Sequence, residues 1–214
     1  MPINTTIFFP ELQEYLHQIP QVEVPEDRMP ELERLAEYLA GKLKSTGSAA
    51  LNFICTHNSR RSHMGQVWAQ TLAVAYGLDG ISTYSGGTEA TAANPRTIRA
   101  LRQAGFNISQ LDESPNPHYR IAYGSDHEGM EAWSKVYSDP ANPQQEFGAI
   151  MTCDSANEAC PVVLGADGRF PIMYLDPKAF DDTPREQAAY AERCQQIAAE
   201  MNWVMSRTAE LLIA

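Results

Sequence analysis

The stretch CTHNSRRS, Cys55 to Ser62, lies between the apolar run LNFI and the amphipathic run SHMGQVWAQTLAVAYG. A strand that ends in a loop of polar and small residues and passes straight into a helix turns backbone N–H groups inward, and the helix adds its positive N-terminal end. The product is an anion cradle with a cysteine at its floor. A cysteine beside cations at a helix N-terminus is held as the thiolate, the form that attacks phosphorus, arsenic or sulfur in an oxyanion. Arg61, at Cys-X5-Arg spacing, offers a planar fork for two equatorial oxygens, and Ser62 is placed to donate to the sulfur. A Cys and an Arg this far apart also arise by chance, with the Cys merely buried. The strand before the loop and the helix after it favour the functional reading.

The rest of the chain repeats this strand-to-helix order. ALNFICT reads as a first strand and Ser62 to about Tyr76 as the first helix. GISTYSG reads as a second strand, followed by NPRTIRALRQAG, a helix opened by Pro95 and closed by Gly105. GAIMTC and FPIMYLD read as further strands, and PREQAAYAERCQQIAAEMNWVMSRTAELL as a long C-terminal helix. This alternation predicts a three-layer α/β fold: a central parallel sheet of about four strands with helices on both faces and ligands at the strand carboxyl ends. Residues 114–145, rich in Pro, Asn, Ser and Gly, read as an irregular insertion with one short helix, anchored by Tyr119, Tyr123, Trp133 and Tyr137. Residues 1–48 read as an N-terminal extension. It holds a proline-punctuated segment and a helix with Leu32, Leu35, Leu39 and Leu43 at helical spacing. Residues 49–214 then form the catalytic domain.

Composition narrows the partners. A net charge of −11 over 214 residues argues against nucleic acid, whose phosphates are bound by surplus Lys and Arg. A small anion gains nothing from this overall field, so its attraction must come locally from Arg60, Arg61 and the amides of Thr56, His57, Asn58 and Ser59. No apolar run is long enough to cross a membrane and the N-terminus carries no basic-then-apolar signal, so a cytoplasmic location is expected. There the cysteines Cys55, Cys153, Cys160 and Cys194 are not expected to form structural disulfides. No pair has CxxC spacing and the histidines are scattered, so neither a metal nor a tightly bound cofactor is expected.

CDSANEAC, Cys153 to Cys160, follows the strand GAIMT and so falls at the same sheet edge as the Cys55 loop if the strands are parallel. These two thiols can pair only if the segment between them coils, as a short helix would allow. They read either as unrelated buried cysteines or, with Cys55 on the same edge, as members of a thiol relay.

CTHNSRRS resembles the active-site loop of the low-molecular-weight protein tyrosine phosphatases and of the thioredoxin-coupled arsenate reductases that share their fold. YSGGTEATAANPRTIRALRQAGFNIS, MTCDSANEACPVV and YLDPKAFDD are similar to further segments of the same superfamily, so the resemblance spans roughly residues 50–210. It implies Cys55 as nucleophile, Arg61 as oxyanion-binding arginine, Ser62 as the hydroxyl that stabilises the thiolate, and Asn58 as the residue that shapes the cradle. It further implies Cys153 and Cys160 as resolving thiols and Asp176, before Pro177, as general acid. Asp181 and Asp182 are rival acids, and FDDTP is also a helix-start signal. His57 and Arg60 depart from the usual small residues; His57 reads as solvent-facing, Arg60 as an added charge at the mouth. Some of the reductases bind potassium through a Glu where this chain has the neutral Gln66.

Two enzyme readings follow from the resemblance. In a reductase, arsenate is attacked by Cys55, Cys153 displaces arsenite, and Cys160 passes a disulfide to thioredoxin or another thiol. In a phosphatase, water hydrolyses a phosphocysteine and the second and third cysteines are incidental. The cysteine pair favours reduction, whereas aromatics of the insertion walling a cleft for phosphotyrosine would favour hydrolysis. A redox-sensing module without turnover is a third reading.

Overall fold

In the computed structural model, residues 3–125, 127, 129–159 and 162–213 are described. β1 (Ala49–Cys55) lies inside a four-stranded sheet, paired in parallel with β2 (Ile81–Gly87) on one side and β6 (Phe147–Met151) on the other. β7 (Ala166–Phe170) runs parallel outside β6, giving the order β2-β1-β6-β7. Because both faces of the sheet are covered, β1 and β6 are apolar almost throughout rather than alternating. Leu51, Phe53 and Ile150 join the large core with α2 (Met29–Thr46), α3 (Arg61–Ala75) and α6 (Glu186–Ile213). Ile54, Phe147, Ala149 and Met151 point the other way, into a smaller cluster with Ala156 of α5 (Asp154–Ala159). This is the three-layer parallel architecture expected from the sequence.

α3 packs unusually close to β1. A Cβ on Gly65 would lie 2.4 Å from the Phe53 ring, so glycine at this helix position lets the helix that follows the Cys55 loop settle directly on the strand that precedes it. α4 (Pro95–Gln103) starts as its sequence predicts, with the Asn94 side chain accepting from Arg96 N at 2.9 Å and Pro95 in the first turn.

Two elements differ from the sequence reading. The insertion carries no helix among its described residues. Its Tyr119–Ala122 and Met130–Ala132 are strands β4 and β5, which continue an antiparallel sheet begun by β3 (Asn107–Gln110). Tyr119 and Ile121 are buried while Arg120 is exposed, a two-residue alternation that the Pro and Gly around it obscured. FPIMYLD is not a strand either: β7 ends at Phe170, since Pro171 has no N–H to give a ladder. Residues 171–176 instead cross toward the Cys55 loop, held by Tyr174 N donating to Thr152 O at 3.1 Å.

The predicted N-terminal helix is α2, with Leu32, Leu35 and Leu39 fully buried and Leu43 partly so. A further helix, α1 (Pro10–Gln18), buries Leu12 and Leu16 in the same core. No described helix is long and apolar enough to cross a membrane.

Candidate active site

The register brings three segments to one sheet edge. Cys55 stands opposite Gly87 at the end of β2, and Ile54 stands opposite Met151, two residues before Cys153. Cys55 is buried, and its Sγ lies 3.1 Å from Ser62 Oγ in the first turn of α3. Asn58, in the left-handed region at φ 43°, donates from Nδ2 to the same Ser62 oxygen at 2.9 Å and accepts at Oδ1 from Lys135 N at 3.0 Å. With its oxygen already receiving a hydrogen bond, Ser62 is left to direct its own proton at the Cys55 sulfur.

The loop carbonyls are engaged from outside. Cys55 O accepts from Thr88 N, Thr56 O from Glu89 N, His57 O from Ser134 Oγ, and Ser59 O from Asn94 N, at 2.8–3.1 Å. The loop N–H groups remain as the polarity available to an anion, as a cradle requires. Gly87 permits this wrapping: a Cβ there would meet Glu89 O at 2.3 Å, Thr56 O at 2.6 Å and Asn58 N at 2.7 Å.

Arg61 reaches across to the 171–176 segment. Its Nη1 donates to Tyr174 O at 2.9 Å and its Nη2 to Asp176 Oδ2 at 2.7 Å, while its buried Nε has no partner among the described residues. Asp176 Oδ1 also caps the short 3-10 turn Pro177–Phe180 by accepting from Lys178 N at 3.0 Å. The turn-capping and site-facing roles of Asp176 therefore coexist on different oxygens. Arg60 is held beside it, donating from Nε to Tyr190 OH at 2.9 Å and lying 3.5 Å from Asp181 and 3.9 Å from Asp176. Burial pushes the Tyr190 hydroxyl up to about 12, so it stays protonated. Tyr190 OH in turn donates to Asp181 at 2.9 Å, and Asp181 faces Arg60 and Arg96 rather than the cradle. Asp182 is 89% exposed and paired with Arg96. Neither rival carboxylate pairs with Arg61 as Asp176 does.

The described cysteines have different surroundings. Cys153 Sγ lies 3.5 Å from Thr56 Oγ1 and accepts from Ala156 N at 3.4 Å, at the start of α5. The segment after Cys153 coils as α5, the condition that pairing of the two thiols would need, and Cys160 lies outside the described residues. Cys194 is buried in α6 against Trp68, whose Nε1 donates to its Sγ at 3.2 Å, and burial pushes its thiol up to about 11. It is a packing residue.

The remaining loop residues divide. His57 is half exposed and 4.0 Å from Glu89, facing away toward solvent. Ser59 donates to Ala92 O at 2.6 Å, tying the loop to the start of α4. Gln66 Oε1 accepts from Ser85 Oγ at 2.7 Å, a use internal to the fold. Among the described residues no group of three His, Cys, Asp or Glu side chains is placed to hold a metal.

Four contributors escaped sequence reasoning: Lys135 and Ser134, which hold the loop from outside, Tyr174, which receives Arg61, and Tyr190, which receives Arg60. None lies near Cys55 in the chain. Tyr190 and Tyr174 are fully buried tyrosines in otherwise ordinary apolar patterns, and only contact identifies them.

Residues 50–118 match the family described as low molecular weight phosphotyrosine protein phosphatase. An arsenate reductase of Bacillus licheniformis is 41% identical over 151 residues, covering 69% of this chain and 88% of the relative. The chain belongs to the low molecular weight phosphotyrosine phosphatase superfamily. This is a superfamily of enzymes, and it includes the Bacillus licheniformis reductase. Arsenate reductase 2 of Staphylococcus haemolyticus is 42% identical over a shorter stretch of 57 residues, 27% of this chain and 40% of that protein. The same fold occurs in a solved structure of a Bacillus subtilis YwlE mutant, with a TM-score of 0.50 and 16% identity over 78% of this chain and 100% of that one.

Proposed function

We propose that this chain reduces arsenate to arsenite at Cys55, with Cys153 and Cys160 carrying the oxidising equivalents away. The observation that supports this above other readings is the second buried thiol beside the cradle, Cys153, 3.5 Å from Thr56 Oγ1. The name of the Bacillus licheniformis relative points the same way.

The Cys55 thiolate attacks arsenic(V), and one arsenate oxygen leaves as water after taking up protons, one of them from the Asp176 carboxyl. The Cys153 thiolate then attacks the Cys55 sulfur. The S–As bond breaks, its electron pair stays on arsenic, and arsenite departs. Cys160 opens the resulting Cys55–Cys153 disulfide by attacking Cys153, which returns Cys55 as a thiolate and leaves a Cys153–Cys160 disulfide. An external dithiol, a thioredoxin or another thiol, supplies the two electrons that reset the pair.

Arg61 holds the oxyanion in this scheme. Its unpartnered Nε and its short bond to Asp176 support that role, because an arriving oxyanion can take over the guanidinium and free Asp176 to take up a proton and act as acid. The same Asp176 favours a second reading, a phosphatase in which water hydrolyses a Cys55 phosphoenzyme.

One assay separates the two. Arsenate with thioredoxin, its reductase and NADPH is expected to give turnover that Cys55→Ser abolishes and that Cys160→Ser limits to a single round. Aryl-phosphate hydrolysis that survives Cys153→Ser and Cys160→Ser, without arsenate turnover, would falsify the reductase reading. Absence of turnover with either substrate supports a redox-sensing module instead.

A further inference from the structure

The N-terminal segment reaches the site from behind. Arg28, just ahead of α2, donates from Nε and Nη2 to the two carboxylate oxygens of Glu200 at 3.0 and 2.8 Å. Glu200 lies on α6 and is 1% exposed, so its charge depends on this bidentate partner, helped by Gln196 Nε2 at 3.0 Å. The Arg28 guanidinium also covers the ring of Tyr174, 5.2 Å from its centroid. The Tyr174 hydroxyl is buried beside Glu200 and Arg28, and desolvation first, then the Glu200 charge, pushes its ionisation well up. The ring is therefore held by packing and by the Arg28–Glu200 pair.

The main chain of Tyr174 faces the cradle. Its N–H is fixed to Thr152 O, its carbonyl receives Arg61 Nη1, and Asp176 follows two residues later. Immediately upstream, Arg34 of α2 lies over the Phe170 ring at 4.8 Å and donates to Arg169 O. The N-terminal residues thus grip the 169–174 segment on its outer side, while Arg61 grips it on the inner side.

We propose that Arg28 is a positioning residue for the oxyanion arginine: by pinning Tyr174 against α6 it fixes the carbonyl that orients Arg61 and the approach of Asp176. This rests on the reading of the Cys55 loop as an oxyanion cradle. It assigns to the N-terminal segment a role in anion binding, beyond burying apolar surface.

The test uses the full chain and inorganic phosphate, following protection of Cys55 against iodoacetamide by peptide mass spectrometry. Wild type must be protected; if it is not, the cradle reading itself fails. Given protection, Arg28→Met is expected to raise the phosphate concentration for half-protection about tenfold, since small misplacements of a clamp are expensive. Arg28→Lys should recover part of the loss, because an ammonium pairs with Glu200 without the bidentate geometry. Glu200→Gln, which keeps the buried volume, should shift protection in the same direction and serves if Arg28→Met does not fold. Arg207→Met breaks another α2–α6 pair, Arg207–Glu33 at 3.0 Å, and should leave protection at the wild-type value. Wild-type protection in folded Arg28→Met, or an equal shift in Arg207→Met, overturns the proposal.

Discussion

Replacing Asn58 tests whether the cradle is held from within by one side chain. Asn58 is fully buried, adopts φ 43°, and spends both ends of its amide, on Ser62 Oγ at 2.9 Å and Lys135 N at 3.0 Å. Alanine strands the buried Lys135 N–H, at about 1–3 kcal/mol, and removes the bond to Ser62, about 1 kcal/mol more. Holding alanine in the left-handed region adds roughly 1 kcal/mol. The sum is about 3–5 kcal/mol, a large share of the roughly 5–15 kcal/mol that keeps a domain folded. For a chain of this size about 4 kcal/mol corresponds to a fall in Tm of roughly 8–16 °C. Asn58→Gly relieves the backbone strain but not the lost bonds, so it should melt within about 1 kcal/mol of Asn58→Ala. Urea unfolding followed by near-ultraviolet circular dichroism measures both. The same samples should show slower alkylation of Cys55, because Ser62 loses the donor that aims its proton at the sulfur. A folded Asn58→Ala protein within 1 kcal/mol of wild type, with unchanged Cys55 alkylation, would refute this account of the loop.

Three further outcomes follow from the same geometry. Gly87→Ala places a methyl 2.3 Å from Glu89 O and 2.6 Å from Thr56 O, so it should weaken phosphate protection of Cys55 more than tenfold, whereas Gly41→Ala, with open space at its Cβ, should leave protection intact. His63 is buried behind the loop and is held down to about 4 from 6.5, by burial first and then by the Lys135 charge, with its Nε2 3.2 Å from Trp133 O. Between pH 6.5 and 4 the unfolded chain takes a proton at His63 that the folded chain refuses, so stability is lost as pH falls through that window, by up to about 3 kcal/mol; His63→Gln should flatten that part of a urea-midpoint profile, and an unchanged slope would count against the assignment. Cys194, pushed up to about 11 by burial, should be alkylated in the native protein only as fast as the chain unfolds globally, and labelling at the rate of Cys55 contradicts its placement against Trp68.

The insertion shows why part of the fold was hard to read. Ser, Pro, Asn and Gly between residues 114 and 145 dominate its composition, yet Tyr119 and Ile121 are buried and pair with the β3 residues Gln110 and Ile108, outside the insertion. Short antiparallel strands leave only two or three alternating positions, too few for a periodic signal to stand above the turn residues. Tyr119 and Tyr123 belong to the core and are structural, whereas Trp133 is only partly buried, stacked on His118 with Lys135 over its ring. The boundaries of β1, α3 and α6 are far easier to place, because long apolar runs act locally.

Sequence alone was enough to indicate the chemistry of attack: a cysteine, a left-handed-tolerant asparagine, an arginine and a serine on one strand-to-helix loop, where contact is dictated by chain neighbours. It also indicated a parallel sheet with both faces covered, since strand and helix periods alternate along the chain. Only the tertiary structure decided what surrounds that loop. Tyr174, Asp176, Tyr190, Lys135 and Cys153 lie between 80 and 135 residues from Cys55. Asp176 and Cys153 were expected there through the family resemblance, but for Tyr174, Tyr190 and Lys135 a chain separation of that size leaves no pattern in the sequence, and the packing of β6, α6 and the 171–176 segment around β1 brings all five to the site. The pairing of Arg61 with Asp176, and the link from Arg28 through Tyr174 to Arg61, exist because those elements bury their apolar faces together.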